Sequence, residues 1–288
     1  MTPPSPIARF FAALDGLLER ALPTWWGAVV TDARFPSIHD LNYARVDSGQ
    51  PDLTLADVED ALLPAVTASG ASFFHVVAFE PDGCARLLED LRDAGHTLSW
   101  DTLMRYGGSV EEDHGPTVQP IVPGPALWTH LDRAFREFSL SDPEVRRQLL
   151  QWNRQVLAPA GRRWFGVQAD GGIAGIGSVH VLDEVAYLDD VVTMPAFRRR
   201  GVASAVVRRL VAEARGRGAS DVLLLADQPG PVRLYRSLGF EEVGRVASVV
   251  SGLGRTTQAS GSSGSAAGSP PPGTGPPRRA SDQGAGPG

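Results

Sequence analysis

Between residues 185 and 226 the chain passes from an apolar strand pattern through a proline break at Pro195 and an Arg-rich turn at Gly201. An amphipathic stretch over 202–215 follows, and then the continuous apolar run 222–226. This succession constrains the fold more than any other feature. Val202, Val206 and Leu210, with Val207, Val211 and Ala214 alongside, recur at helical spacing, and Gly216 and Gly218 end the helix. A strand that is apolar throughout is covered on both faces. A strand–helix–strand unit of this kind crosses over right-handedly between parallel strands. The chain is therefore expected to be α/β, with a mixed sheet.

The flanking patterns extend that sheet. Residues 125–138 and 142–157 read as helices, the first with Leu127, Leu131 and Phe135 on one face and the second with Val145, Leu149, Leu150 and Trp152. Strands are expected over 163–168, 173–182 and 185–193, the first two joined by a turn at Asp170, Gly171 and Gly172. A short helix over 232–238 and a strand over 240–250 complete the set. The first half holds a fainter copy. Gly70, Ala71 and Ser72 before FFHVVAF mirror Gly218, Ala219 and Ser220 before DVLLLAD, and Arg86, Leu87, Leu88 and Leu91 mirror Arg233, Leu234, Tyr235 and Leu238. Chance matching of short apolar strands is the alternative to duplication. The expected division is 1–115, 116–250 and a Gly/Ser/Pro-rich tail over 251–288 that lacks core-forming residues and is expected to be disordered.

Composition narrows the function classes. A length of 288 residues with 42% hydrophobic content is enough for one large or two ordinary domains, and two are expected. The net charge of -6 lacks the basic stripe of a nucleic-acid binder. The single cysteine, Cys84, rules out an intrachain disulfide or Cys-based zinc framework and is expected to be a small buried residue in a reducing compartment. No window approaches the ~18 apolar residues of a membrane span, and no signal-peptide pattern opens the chain, so a cytoplasmic protein is expected.

The turn itself carries the chemistry. Arg198, Arg199 and Arg200 stand at a helix N-terminus, where each exposed cation costs ~0.3–1 kcal/mol. A phosphate-bearing ligand held by backbone N–H groups would offset them. Residues from Arg198 to Ala203 can converge their N–H groups on such an anion, with Gly201 allowing close backbone approach, and arginine side chains add charge-assisted contacts.

Thr193, Met194 and Pro195 at the end of the strand, Arg198-x-x-Gly201-x-Ala203 in the turn, and the run from Leu234 and Tyr235 to Gly239 and Phe240 together resemble an acetyltransferase of the GNAT superfamily. The resemblance covers 116–247 and implies a tandem arrangement with a degenerate first copy. Leu88 stands there in place of Tyr235, and no turn motif precedes its helix. It implies acetyl-CoA as co-substrate, no metal, and transfer to a primary amine by direct attack. Val191, Val192 and Thr193 would offer backbone groups to the pantetheine arm, and Arg198, Arg199, Arg200, Gly201, Val202, Ala203 and Ser204 would cradle the pyrophosphate. Tyr235 would protonate the departing thiolate, a transfer uphill by roughly 2 kcal/mol in water. An amine of pKa ~10.4 must also lose a proton, at about 4–5 kcal/mol at pH 7. Asp189 is the candidate base, since the family often has an acid four residues before the Thr193 position. On a regular strand Asp189 and Asp190 point to opposite faces. The alternative for Asp189 is a strand-end charge paired with an arginine. The family often has Asn where Gln228 stands and a small residue at Pro231; by the resemblance Gln228 would keep an amide contact to the cofactor, and Pro231 suits the first turn of the following helix.

Other residues receive plainer readings. His130 and His180 read as surface or hydrogen-bonded core histidines, and His39, His75, His96 and His114 lack ligand spacing. Gly171, Gly172, Gly175 and Gly177 run through a hairpin and open no helix, unlike a dinucleotide loop. The six tryptophans read as core or domain contacts, with Trp128 or Trp152 as possible walls of the acceptor pocket. The expected partner is a small-molecule or peptide amine, with neither nucleic acid nor membrane, and the assembly is a monomer with two pseudo-symmetric halves or a homodimer. A non-catalytic acyl-CoA sensor or interaction module on the same fold is the competing function.

Overall fold

The computed structural model describes residues 4–47, 49–109, 115–137, 140–169 and 172–253. Asp170 and Gly171 of the expected turn, Phe138, His114 and the tail from 254 onward lie outside them.

The first half contains α1 (Pro6–Asp15), β1 (Arg20–Pro23), β2 (Gly27–Thr31), β3 (Tyr43–Val46), α2 (Leu55–Ser69), β4 (Phe73–Ala78), α3 (Ala85–Asp93) and β5 (Ser99–Tyr106). The second contains β6 (Val118–Ile121), α4 (Pro125–Glu137), α5 (Pro143–Trp152), β7 (Arg163–Ala169), β8 (Gly172–Leu182), β9 (Val185–Thr193), α6 (Val202–Gly216), β10 (Asp221–Ala226), α7 (Pro229–Ser237) and β11 (Phe240–Gly252). The expected second helix is regular only to Trp152 and continues to Leu157 as a wider π turn. Helix α7 starts three residues before the expected 232, because Pro229 and Pro231 both fall in the first turn, where a missing N–H costs nothing.

The strands form one sheet in the order β1-β2-β3-β4-β11-β5-β10-β9-β8-β7-β6. Each half runs strand, helix, strand, helix, strand at its end, and the two final strands trade places. β5 inserts between β10 and β11, and β11 inserts between β4 and β5. Gly70 and Gly218, at the mirrored positions, both take left-handed backbone (φ 81° and 83°) just before β4 and β10. The crossover β9–α6–β10 joins parallel strands, as expected.

Helix α6 buries Val202, Ala205, Val206, Val207, Leu210, Val211 and Ala214 against the sheet. The approach is close because β8 presents glycines to it. A Cβ on Gly175 would lie 2.4 Å from a Val202 methyl, and one on Gly177 would lie 2.8 Å from methyls of Leu210 and Val206. On the opposite face Phe10 of α1 stacks on Tyr187 of β9 (5.2 Å), while α4 and α5 share a core with Trp164, Ile176 and Val192. Cys84 is fully buried. Trp25 departs from the core reading of the tryptophans. It is 61% exposed, whereas its neighbour Trp26 fills the first-half core. Among the described residues no helix is long and apolar enough to cross a membrane.

Candidate active site

β9 pairs with β10 only over Val185–Tyr187, opposite Asp221–Leu223. Beyond that point the two strands part, and the β9 edge over 188–193 faces β10 without ladder bonds to it. On the other edge the β8–β9 register slips between Ile176↔Val192 and Ser178↔Asp189, which inserts an extra residue in β9. Asp190 takes up the bulge with φ 52°.

The bulge overturns the expectation that Asp189 and Asp190 point to opposite faces, because the extra residue breaks the two-residue alternation. Both carboxylates reach the buried Arg162, whose Nη2 lies 2.6 Å from Asp189 Oδ2 and 3.0 Å from Asp190 Oδ2, while its Nε donates to Ser178 Oγ (2.8 Å). Burial, reinforced by the adjacent Asp189 carboxylate, pushes the Asp190 carboxyl up to about 6 despite Arg162. Asp189 Oδ1 also accepts the Asp190 N–H (2.9 Å). Sequence reading left this arginine unassigned; its only signal was its place just ahead of β7.

After Thr193 and Met194 a short 3₁₀ turn, Pro195–Phe197, leads into the Arg turn. Arg199 (φ 63°) and Gly201 (φ 76°) both take left-handed backbone, and Gly201 caps α6. Such alternation turns successive N–H groups toward one concave side and makes an anion nest. The Arg198 Nε donates to the Thr193 carbonyl (3.3 Å), and the Arg200 guanidinium lies over the Phe197 ring (5.7 Å). None of the three arginines has a carboxylate partner among the described residues. Val202 is buried, and Ala203 and Ser204 are half-buried in the first turn of α6. The residues fit a pyrophosphate-bearing co-substrate: a nest, three uncompensated cations and an open strand edge adjoin, and the Thr193 hydroxyl beside them is buried without a hydrogen bond.

Tyr235, on α7, is 4% exposed and packs edge-on against Phe240 (5.8 Å). It belongs to the same core cluster as Val202, the first residue of α6, and Ala226, the last of β10. Gln228 caps α7 from an extended backbone, and its amide reaches Asp227 at 3.4 Å. Between α4 and the Met194–Phe197 segment lies a cavity of ≈ 570 Å³, lined also by Thr129, His130 and Gln168. Trp128 and Trp152 do not line it. They pack on Trp164 (5.8 Å) and Phe35 (5.7 Å). His180 is a core residue, bonded to the Ala160 carbonyl (3.0 Å) and lowered to about 4 by burial.

The first half adds groups that spacing did not bring together. His39, Asp40 and His75 converge, with their ligand-type atoms within 4.8 Å of one another. His39 Nδ1 is bonded to Asp40 (2.9 Å) and His75 Nδ1 to the His39 carbonyl (2.9 Å), so those ring nitrogens already have protein partners. Asp101 on β5 is 8% exposed, and burial, with Asp227 and Asp40 nearby, pushes its carboxyl up to about 6.

Residues 125–240 match the family model described as the acetyltransferase (GNAT) family. No curated protein matches the sequence significantly. Among solved structures, a GCN5-related N-acetyltransferase from Kribbella flavida superposes with a TM-score of 0.61 at 19% identity, covering 86% of this chain and 96% of that one. A functionally unknown conserved protein from Staphylococcus epidermidis gives 0.61 at 12% identity over 78% and 90%. A GCN5-related N-acetyltransferase from Sphaerobacter thermophilus gives 0.51 at 18% over 66% and 65%. At such identities the likeness is one of fold. Residues 125–240 thus match the GNAT acetyltransferase family model, and the mixed sheet with its parted strands has the fold of the GCN5-related N-acetyltransferase from Kribbella flavida.

Proposed function

We propose that the chain transfers an acetyl group from acetyl-CoA to a primary amine by direct attack, with no covalent enzyme intermediate. The observation that carries this reading is the opening of β9 from β10 beside the nest at the start of α6, with Tyr235 in the adjoining cluster. When bound, acetyl-CoA supplies the activated thioester. The N–H groups over 199–203 and the guanidinium groups of Arg198, Arg199 and Arg200 hold the pyrophosphate. The free edge of Val191, Val192 and Thr193 aligns the pantetheine arm and orients a donor N–H at the carbonyl.

The Tyr235 hydroxyl gives its proton to the departing sulfur. Asp189, oriented by Arg162 and the Asp190 N–H, takes the proton that the amine must lose before it attacks. One of the two protons leaving nitrogen goes to solvent, and the other restores Tyr235 through water. Tyr235→Phe tests the reading: coenzyme A release is expected to fall ~100-fold or more, with acetyl-CoA affinity by calorimetry nearly unchanged. Unchanged turnover refutes the role of Tyr235. Acetyl-CoA binding with no release toward any amine favours the sensor instead.

A further inference from the structure

The exchange of final strands carries acidic residues of the first half into the opening of the second. β5 pairs with β10 through Thr102↔Ala226, so the next step of the same ladder sets Asp101 against Asp227. Asp227 directly follows the last residue of β10, past the final ladder pair Tyr187↔Leu223, where the two strands have parted. Two carboxylates directly opposite one another repel. Neither has an ion-pair partner among the described residues. Asp101 is more than nine-tenths buried and makes no hydrogen bond there. One Asp227 oxygen is buried without a partner, and the other has only the 3.4 Å contact with Gln228.

A second observation points to the same place. Tyr187 is 5% exposed, its hydroxyl makes no hydrogen bond among the described residues, and that hydroxyl lies in the field of Asp189, Asp101 and Asp40. Asp190 adjoins Asp189 through their shared Arg162, and Asp227 adjoins Asp101. The cations facing them are Arg162, held by Asp189 and Asp190, and His39, held by Asp40. Asp101 and Asp227 are left without a counter-charge.

We propose that this wall binds the acceptor, and that the acceptor is an aliphatic di- or oligoamine whose non-reacting ammonium is anchored between Asp101 and Asp227. The inference rests on the acetyl transfer proposed above. A monoamine loses its only positive charge when its nitrogen is deprotonated for attack, which leaves the two carboxylates unbalanced. A second ammonium keeps its charge throughout. A carboxylate-bearing acceptor is repelled.

Calorimetric titration of the full chain, with coenzyme A present, tests this with 1,5-diaminopentane and spermidine against 1-aminopentane and 5-aminopentanoate. The two polyamines are expected to bind at least about tenfold tighter than the monoamine, and 5-aminopentanoate not to bind. Asp101→Asn and Asp227→Asn should each weaken diamine binding by about tenfold or more. Both should leave acetyl-CoA affinity unchanged, and Asp101→Asn should raise Tm by relieving repulsion, which separates a lost anchor from a lost fold. Asp82→Asn, at a side chain 94% exposed, is the neutral control. Equal binding of mono- and diamine, or an Asp101→Asn variant that binds diamine as the parent does, overturns the proposal. So does micromolar binding of Zn²⁺ to the His39–Asp40–His75 group without diamine binding. If the diamine binds as expected while acetyl-CoA does not, the cationic site stands and the acetyl-transfer reading falls. The reverse result removes the site alone.

Discussion

Arg162 holds together the bulge on which the site is built, and Arg162→Met removes it without removing its volume. The guanidinium gives up bonds of 2.6 Å to Asp189, 3.0 Å to Asp190 and 2.8 Å to Ser178. Breaking one side of a buried ion pair costs about 3–5 kcal/mol. The two carboxylates keep 21% and 23% of their side-chain exposure, so water screens part of the loss and about 2–3 kcal/mol is expected at pH 8. For a chain of this size that lowers Tm by roughly 5–10 °C. The sign of the pH dependence follows from Asp190. Its folded carboxyl titrates near 6, above the ordinary value, so the folded state binds the proton more tightly. Asp190 therefore detracts from stability as pH rises through that window and ceases to do so below it. Without Arg162 the carboxyl titrates higher still. The deficit of the variant should be largest at pH 8 and shrink by pH 5, where Asp190 is neutral. Urea unfolding at pH 5, 6, 7 and 8 measures it, and adding Asp190→Asn should remove most of the dependence. A deficit under about 1 kcal/mol at pH 8, or one constant across the series, refutes the account.

Gly175→Ala drives a methyl group to 2.4 Å from Val202 and 2.9 Å from the Val192 carbonyl. It should destabilise by about 1–3 kcal/mol in chemical denaturation and weaken coenzyme A binding, because it lifts the start of α6. Arg199→Gly should act in opposite directions on two readouts. Relief of the left-handed backbone at φ 63° raises stability by about 1 kcal/mol, while loss of the guanidinium weakens coenzyme A binding and flattens its salt dependence. A fragment of residues 116–288 lacks the strand between β10 and β11 and should be insoluble or unfolded by circular dichroism, with co-expressed 1–115 restoring a folded complex.

The Arg turn, α6 and the strands beside them were legible because each rests on local signals: glycine at a left-handed position, helical spacing of Val202, Val206 and Leu210, and an apolar run for β10. The mirrored Gly70 and Gly218 were legible for the same reason. The exchange of β5 and β11 was not, because apolar strands of similar composition pair with any suitable edge, and nothing local in 99–106 names β10 as a neighbour. That exchange is what sets Asp101 against Asp227, so this pair was hidden with it. The bulge at Asp190 was missed because alternation is assumed along a strand, and an aspartate at positive φ leaves no separate mark in sequence. Arg162 lies 27 residues from Asp189, too far for any spacing rule.

The pairing of β4 with β11 has a consequence for synthesis of the chain. Ala78 finds its partner Ala247 only when nearly all the described residues have left the ribosome. At ~5–20 residues per second the free edge of β4 waits roughly 10–30 s for its neighbour. During that interval the first half presents an unpaired apolar strand, open to pairing with another nascent chain. β11 therefore closes the sheet of the first half, and a ribosome that stalls before it releases two unfinished sheets rather than one finished domain and one missing one.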